Sequence, residues 1–184
     1  MNQFQLYFNL GIQHILDLKG FDHILFVLAL AVVYMIKDWG RILILVTAFT
    51  IGHSLTLALA TLKVIQINTD LVEFLIPVTI AITALSNIFK PKSSSGKGIQ
   101  INYLFALCFG LIGFSNYLTS LLGKEQSIFT PLLAFNIGLE IGQVVIVVLF
   151  LLTSTLITGI FRINRKEWVL VISSMIFGMA IMIL

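Results

Sequence analysis

The sequence predicts an all-α fold, a polytopic bundle of transmembrane helices that forms a single domain over residues 1–184. Of the 184 residues, 59% are hydrophobic and only 10% are charged, and the mean hydropathy is +1.07. Soluble domains average about 25% charged residues. The apolar residues are also gathered into long runs that short polar loops separate. A soluble domain of this length could not bury so much apolar surface, so the lipid bilayer is the expected solvent.

Six apolar stretches approach or exceed the roughly 20 residues that a membrane-crossing helix needs. They are Phe21–Ile36, Arg41–Leu62, Leu71–Phe89, Ile101–Leu122, Phe129–Thr158 and Trp168–Leu184. A shorter apolar segment, Gln5–Leu18, precedes them, and it could be a span, a re-entrant helix or an interfacial helix. The expected bundle therefore has about six spans plus a short N-terminal membrane helix, or seven spans if that helix also crosses.

The basic residues fall unevenly on the two sides of this bundle. Eight of the eleven Lys and Arg residues lie in the loops after the first, third and fifth of these spans, which share one side of the membrane. The other three lie on the opposite side, namely Lys19, Lys63 and Lys124. The positive-inside rule then places the loop 90–98, which is rich in Ser, Gly and Lys and expected to be flexible, in the cytoplasm. We expect a multi-pass membrane protein with its C-terminus outside.

Composition also narrows the partners. The net charge of +3 is small and spread over loops, so no basic patch suggests nucleic-acid binding. The single cysteine, Cys108, excludes a disulfide within the chain and a Cys-rich zinc site. The lipid bilayer is the expected partner, and homo-oligomer formation is left open.

Polar groups inside a bilayer are costly and by default mark a functional site, and three such groups stand out. In the first, His14 and Asp17 are three residues apart and would share one helix face. Gly20 permits a sharp turn, which we expect to fold Asp22 and His23 back toward His14 and Asp17. Two imidazoles and two carboxylates suit Ni²⁺, Zn²⁺ or Co²⁺. The competing interpretation is a helix-capping Asp22 with both histidines at a wet interface.

The second group surrounds His53, which lies about twelve residues into its span and hence close to mid-membrane. Thr50 and Ser54 lie one turn apart beside it, and Thr47 continues their stripe. A core histidine that is hydrogen-bonded to a neighbouring helix is the competing interpretation.

The third group is a polar stripe in which Asn136, Glu140 and Gln143 follow an i, i+4, i+7 pattern. Gly138 and Gly142 form a pair of small residues elsewhere on the same helix and would allow close helix packing. A carboxylate at this depth should be protonated, paired or bound to a cation. A neutral Glu140 that joins two helices is the competing interpretation.

The three groups share one depth zone, which predicts a single cation pocket open to the outer side. Its expected ligands are His14, Asp17, Asp22, His23, His53 and Glu140. Four further residues are expected to support it, namely Ser54, Asn136, Gln143 and Glu73. For Glu73, at the outer end of the third span, a wet interfacial carboxylate is the competing interpretation.

Three motifs in this order resemble the HupE/UreJ family of bacterial membrane proteins. They read HILDLKGFDHILFVLAL, FTIGHSLTLALA and FNIGLEIGQ, and they run from about His14 to Gln143. The resemblance implies a metal permease of the bacterial inner membrane, chiefly for nickel and also for cobalt. It assigns metal roles to His14, Asp22, His23 and His53, with Glu140 from the third motif. Family members often carry a His-Gly element in the fourth span, whereas this chain has no histidine in Phe109–Ser115.

The leading functional hypothesis is a permease that takes up a divalent transition-metal ion. Ni²⁺ is the expected ion, with Co²⁺ and Zn²⁺ as alternatives. Capture at the outer His/Asp cluster would be followed by ligand exchange past His53 and Glu140. The alternative is an intramembrane hydrolase whose bound metal activates water, with Glu140 or Asp22 as the base. A transporter needs readily exchanged ligands, whereas a hydrolase needs a tightly held metal with one open position.

Overall fold

A computed structural model of the chain describes residues 2–17, 20–65, 68–89, 106 and 128–184, and within these ranges it is helical and contains no strand. Its α-helices are α1 (Gln3–Leu16), α2 (Asp22–Ala31), α3 (Trp39–Thr61), α4 (Thr69–Phe89), α5 (Phe129–Ile160) and α6 (Arg165–Ile183). A 3₁₀ turn, Ile36–Asp38, leads into α3. Apart from Ala106, the expected span Ile101–Leu122 and the loop 90–98 lie outside the described residues.

Four of the described helical segments are long and apolar enough to cross a membrane. They are Ile36–Thr61, Thr69–Phe89, Phe129–Ile160 and Arg165–Ile183. Each coincides with one of the expected spans. The predicted all-α, multi-pass membrane protein is confirmed.

Helix α2 is short but lies at the centre of the bundle. Most of its ten residues are buried, and it packs against α4, α5 and α6. A helix that is apolar on every side is stable only when other elements surround it. At 1.5 Å per residue it is about 15 Å long, roughly half the thickness of the hydrocarbon core. The stretch Phe21–Ile36 therefore does not form a full-length helical span by itself.

Helix α1 packs along the first half of α5 with almost no side-chain spacer. Its buried residues, Tyr7, Gly11 and Ile15, recur every fourth position and form one face. A Cβ atom added at Gly11 would overlap the backbone oxygen of Phe135, and one at Gly138 would overlap the backbone oxygen of Phe8. Small residues are what allow two membrane helices to approach backbone to backbone. The close packing predicted for Gly138 and Gly142 is thus confirmed.

The contacts of α1 also fix its direction. Phe8 lies against Gly138 and Ile15 lies against Gly142, so residue numbers rise together and α1 runs parallel to α5.

Helix α2 continues in that direction. Its start lies beside α1 at His23, and its middle shares a cavity wall with Gln143 and Val147. Just beyond its end, the Tyr34 carbonyl and Ser154 of α5 both bind the Arg165 guanidinium.

The two helices are successive segments of one broken path along α5. The chain does not reverse direction between α1 and α2, so the expected reversal was wrong, although His23 does lie beside His14 as expected. Gly20 lies in this break and does not have a positive φ.

Candidate metal centre

The three histidines of the chain meet at the break between α1 and α2. The ring centroids of His14 and His23 are 4.9 Å apart, and those of His14 and His53 are 5.8 Å apart. Each ring comes from a different helix: His14 from the last turn of α1, His23 from the first turn of α2, and His53 from the middle of α3. Residues 39 positions apart in sequence are therefore brought together by packing alone.

Helix ends favour this location for a positive charge. The last carbonyl groups of α1 point away from its final turn, and they carry the negative end of the helix dipole. Helix α2 begins with its positive end, but Asp22 in its first turn supplies a compensating carboxylate. Broken membrane helices commonly place ion-binding groups at such interruptions.

Aromatic rings enclose the imidazoles. Phe49 stacks on His53, one helical turn away, with centroids 6.0 Å apart and planes inclined by 6°. Phe135 of α5 lies 5.7 Å from His14 and 6.1 Å from His53. His53 has no solvent-exposed surface. These walls keep water away from His53, which strengthens any electrostatic or coordinate interaction made there.

His14 carries an unsatisfied nitrogen in this enclosure. Its Nε2 atom has no exposed surface and no hydrogen-bond partner among the described residues. A buried polar atom without a partner costs about 1–3 kcal/mol. Such an atom is expected where a ligand completes the site.

Asp22 orients His23. The Oδ1 atom of Asp22 lies 3.0 Å from Nδ1 of His23. A proton on Nδ1 would be donated to the carboxylate, and this tautomer directs the lone pair of the ring to Nε2. A carboxylate that holds the far side of a histidine in this way is typical of metal-ligating imidazoles.

Asp17 lies at the edge of the cluster. It follows the last residue of α1 and is exposed, and its negative charge acts on the His14 ring together with that of Asp22. Both carboxylates therefore favour a cation near His14.

Glu140 belongs to a second polar group, between α3 and α5. Its carboxylate oxygen Oε1 accepts a hydrogen bond of 2.7 Å from the Thr47 hydroxyl. Three residues later in each helix, the Thr50 hydroxyl donates to Gln143 Oε1 at 3.2 Å. Thr47 lies six residues before His53, about 9 Å along the axis of α3. The described contacts of Glu140 thus join α3 to α5, in a layer next to the imidazoles.

The remaining expected residues have separate environments. The Ser54 hydroxyl donates to the Thr50 carbonyl of its own helix at 2.5 Å. The Asn136 side-chain oxygen is buried and has no hydrogen-bond partner in the described part of the chain. Glu73 is exposed and lines an open cavity of about 420 Å³ together with Gly20 and Asp22. This cavity reaches the carboxylate that holds His23.

The spacing of the imidazoles can be compared with that of a metal site. With metal–nitrogen bonds of about 2.0–2.1 Å, two ring centres around one tetrahedral ion would be roughly 5 Å apart. The observed centroid distances are close to this value, at 4.9 Å for His14 and His23 and 5.8 Å for His14 and His53. Among the described residues, no three His, Cys, Asp or Glu side chains stand in an arrangement that would hold a metal ion as they are. Ligation of one ion by these residues would therefore need their side chains to rearrange.

Sequence reasoning missed the two phenylalanines and the partner of Glu140. Phe49 precedes His53 by one turn, a spacing that places both rings on one face, and this signal was available. The contacts of Phe135 with His14 and His53 depend on the packing of three helices and had no local signal. Thr47 was noticed as part of a stripe, but its bond to Glu140 required the register of α3 against α5.

The comparisons with known proteins give one family. The family model described as "HupE / UreJ protein" matches residues 1–184, the full length of the sequence. No curated protein and no solved structure matches the chain. On the strength of the full-length match, the chain belongs to the HupE/UreJ family.

Proposed function

We propose that this protein takes up a divalent transition-metal ion across the membrane, with Ni²⁺ as the first candidate and Co²⁺ or Zn²⁺ next. The observation that carries the proposal is the meeting of all three histidines of the chain, from three different helices, in an aromatic enclosure. Imidazole is a preferred ligand for these ions. Membership of a family whose resemblance implies nickel and cobalt permeases supports the same function.

In this mechanism His14, His23 and His53 bind the ion, and Asp22 positions His23. The open cavity beside Asp22 and Glu73 gives access from the outer side. The layer formed by Thr47, Glu140, Thr50 and Gln143 lies next along α3 and offers oxygen ligands for the inward step. Because imidazole and carboxylate ligands must be deprotonated to bind metal, their protonation would release the ion.

The orientation of the bundle is part of this proposal. The basic residues place the start of α3 in the cytoplasm and the α3–α4 connection outside. The metal is then captured from the outer side and leaves past the cytoplasmic half of α5.

The hydrolase alternative gains no specific support from the described residues. A catalytic metal must be held tightly with one position left open for water. Among the described residues, no such preformed arrangement of ligands occurs.

The test is Ni²⁺ binding and uptake by the purified protein. The wild type should bind Ni²⁺ in an isothermal titration and transport it into liposomes. Replacing His14, His23 or His53 by Ala should each lower affinity by at least tenfold and remove uptake, because each deletes a ligand. Gln13→Ala is the matched control, since Gln13 precedes His14 on α1 but is exposed.

Two results would contradict the proposal. Wild-type affinity in all three histidine variants would show that the cluster does not bind the ion. Tight binding without any uptake into liposomes would favour a retained metal and reject the permease.

A further inference from the structure

A second polar cavity lies at the opposite end of the bundle from the histidine cluster. It has a volume of about 390 Å³ and lies between the segment after α2, the last turns of α5 and the start of α6. Its lining includes two basic residues, Lys37 and Arg165, and three Ser or Thr residues, Ser154, Thr155 and Thr158. Within the described ranges, no acidic residue lines it.

Arg165 is held in place by neutral groups. Its Nη2 donates to the backbone oxygens of Val32, at 2.8 Å, and Tyr34, and its Nη1 lies 3.5 Å from Ser154 Oγ. Carbonyl and hydroxyl groups orient a guanidinium without neutralising it. An arginine has five N–H donors, so these three bonds leave two for another acceptor.

The positive charge of the cavity is only weakly balanced. Among the described residues, the negative charge of Asp38 acts on Arg165. Asp38 also forms an ion pair with Arg41, at 3.3 Å, so its charge is shared between two arginines. Lys37 is exposed, and the ion pairs found among the described residues do not include it. The cavity is therefore suited to an anion.

The rim of the cavity indicates which kind of anion. Met35 and Ile36 border it and are 46% and 48% exposed. A small soluble anion would make no contact with these apolar side chains. A phospholipid has both a phosphate for the basic residues and acyl chains for the apolar rim.

We propose that this cavity binds the phosphate of an anionic lipid headgroup between Lys37 and Arg165. Basic pockets between helices on the cytoplasmic side commonly take anionic headgroups. The lipid would link the end of α2 to α5 and α6. Arg165 connects the bound phosphate to α2, because it donates to the carbonyls of Val32 and Tyr34. This proposal does not depend on the metal function.

The test uses the full-length protein in nanodiscs of phosphatidylglycerol and phosphatidylcholine in equal amounts, followed by native mass spectrometry of the lipids that remain bound. The wild type should retain phosphatidylglycerol preferentially. Lys37→Gln should lower this retention about fivefold, the effect of one basic side chain near a membrane surface. Lys166→Gln is the matched control, because it removes the same charge on the same side but outside the cavity. Arg165→Lys should also lower retention, since Lys cannot form the same fork of bonds.

Three outcomes would overturn the proposal. The first is equal retention of the two lipids by the wild type. The second is an equal loss in Lys37→Gln and Lys166→Gln, which would indicate a diffuse surface charge. The third is displacement of the lipid by excess inorganic phosphate, which would identify a free anion as the ligand. If Arg165→Lys fails to fold, Lys37→Gln still decides, since Lys37 is exposed.

Discussion

Gly138→Ala should weaken metal binding although residue 138 is not a ligand. The added Cβ would overlap the backbone oxygen of Phe8, and neither backbone can yield locally. Helix α1 would have to move away by on the order of 1 Å before the contact reaches the ordinary carbon–oxygen spacing. The displacement carries His14 away from His23 and His53, because His14 lies in the last turn of the same helix.

The size of the effect follows from the tolerance of metal sites. Ligand distances hold to within about 0.2 Å, so a shift of this size should lower Ni²⁺ affinity about 10- to 100-fold. Overpacking should also lower the free energy of unfolding by about 1–3 kcal/mol. Isothermal titration with Ni²⁺ measures the first effect, and thermal unfolding followed by the fluorescence of the two tryptophans measures the second.

A control and a double variant make the test specific. Gly159→Ala changes the same helix where a Cβ meets nothing within 4 Å, so affinity should be unchanged. In a His14→Ala background, Gly138→Ala should add little further loss, because the ligand that it displaces is already absent. Wild-type Ni²⁺ affinity in Gly138→Ala would refute the reasoning, as would full additivity of the two substitutions.

Three further predictions concern the neighbouring layer, the second carboxylate and the orientation. Thr47→Val should lower the free energy of unfolding by about 1–3 kcal/mol, because Glu140 loses its hydrogen-bond donor inside the bundle. Thr47→Ser keeps the hydroxyl and should restore the thermal unfolding temperature. Equal unfolding temperatures for the wild type and both variants would contradict this prediction. Asp22→Asn should lower Ni²⁺ affinity about 10- to 100-fold through the orientation of His23, and unchanged affinity would remove its positioning role. In a Cys108→Ser background, a cysteine at Gly40 should react with impermeant reagents only from the cytoplasm and one at Asp70 only from outside, and the reverse pattern would invert the bundle.

The fold class was predictable because composition and run length suffice for it. Long apolar runs leave the helix as the structure that satisfies their backbone groups in a bilayer. Run length did not reveal that Phe21–Ile36 contains a ten-residue buried helix, α2. That outcome depends on α4, α5 and α6 surrounding it, which is a property of the assembled bundle.

The candidate site was predictable in its residue types and only partly in its arrangement. Scarce ionisable residues in apolar runs identified the three histidines, which the structure brings together. The path of the chain between His14 and His23 was not predictable, since a glycine permits a reversal and a simple break equally well. The contacts of Gly138 with Phe8 and of Gly142 with Ile15 fix the direction of α1 along α5 and decide for the break.

The break itself yields a final prediction, which separates binding from transport. Helix α1 is fixed along α5, and α2 is tied at its far end, where Asn87 donates to the Ala29 carbonyl at 2.7 Å and Arg165 to the Val32 carbonyl at 2.8 Å. Any backbone movement that separates His14 from His23 must therefore come from the connection that contains Gly20. A Cβ at Gly20 would meet only Asp22, at 3.7 Å, so Gly20→Ala fits the observed conformation and mainly restricts others. We expect Gly20→Ala to keep Ni²⁺ affinity within about twofold while slowing uptake into liposomes several-fold, because a carrier must rearrange its ligands. Gly178→Ala, at an open position in α6, is the control. Uptake at the wild-type rate in Gly20→Ala would show that the ion moves without rearrangement at the break.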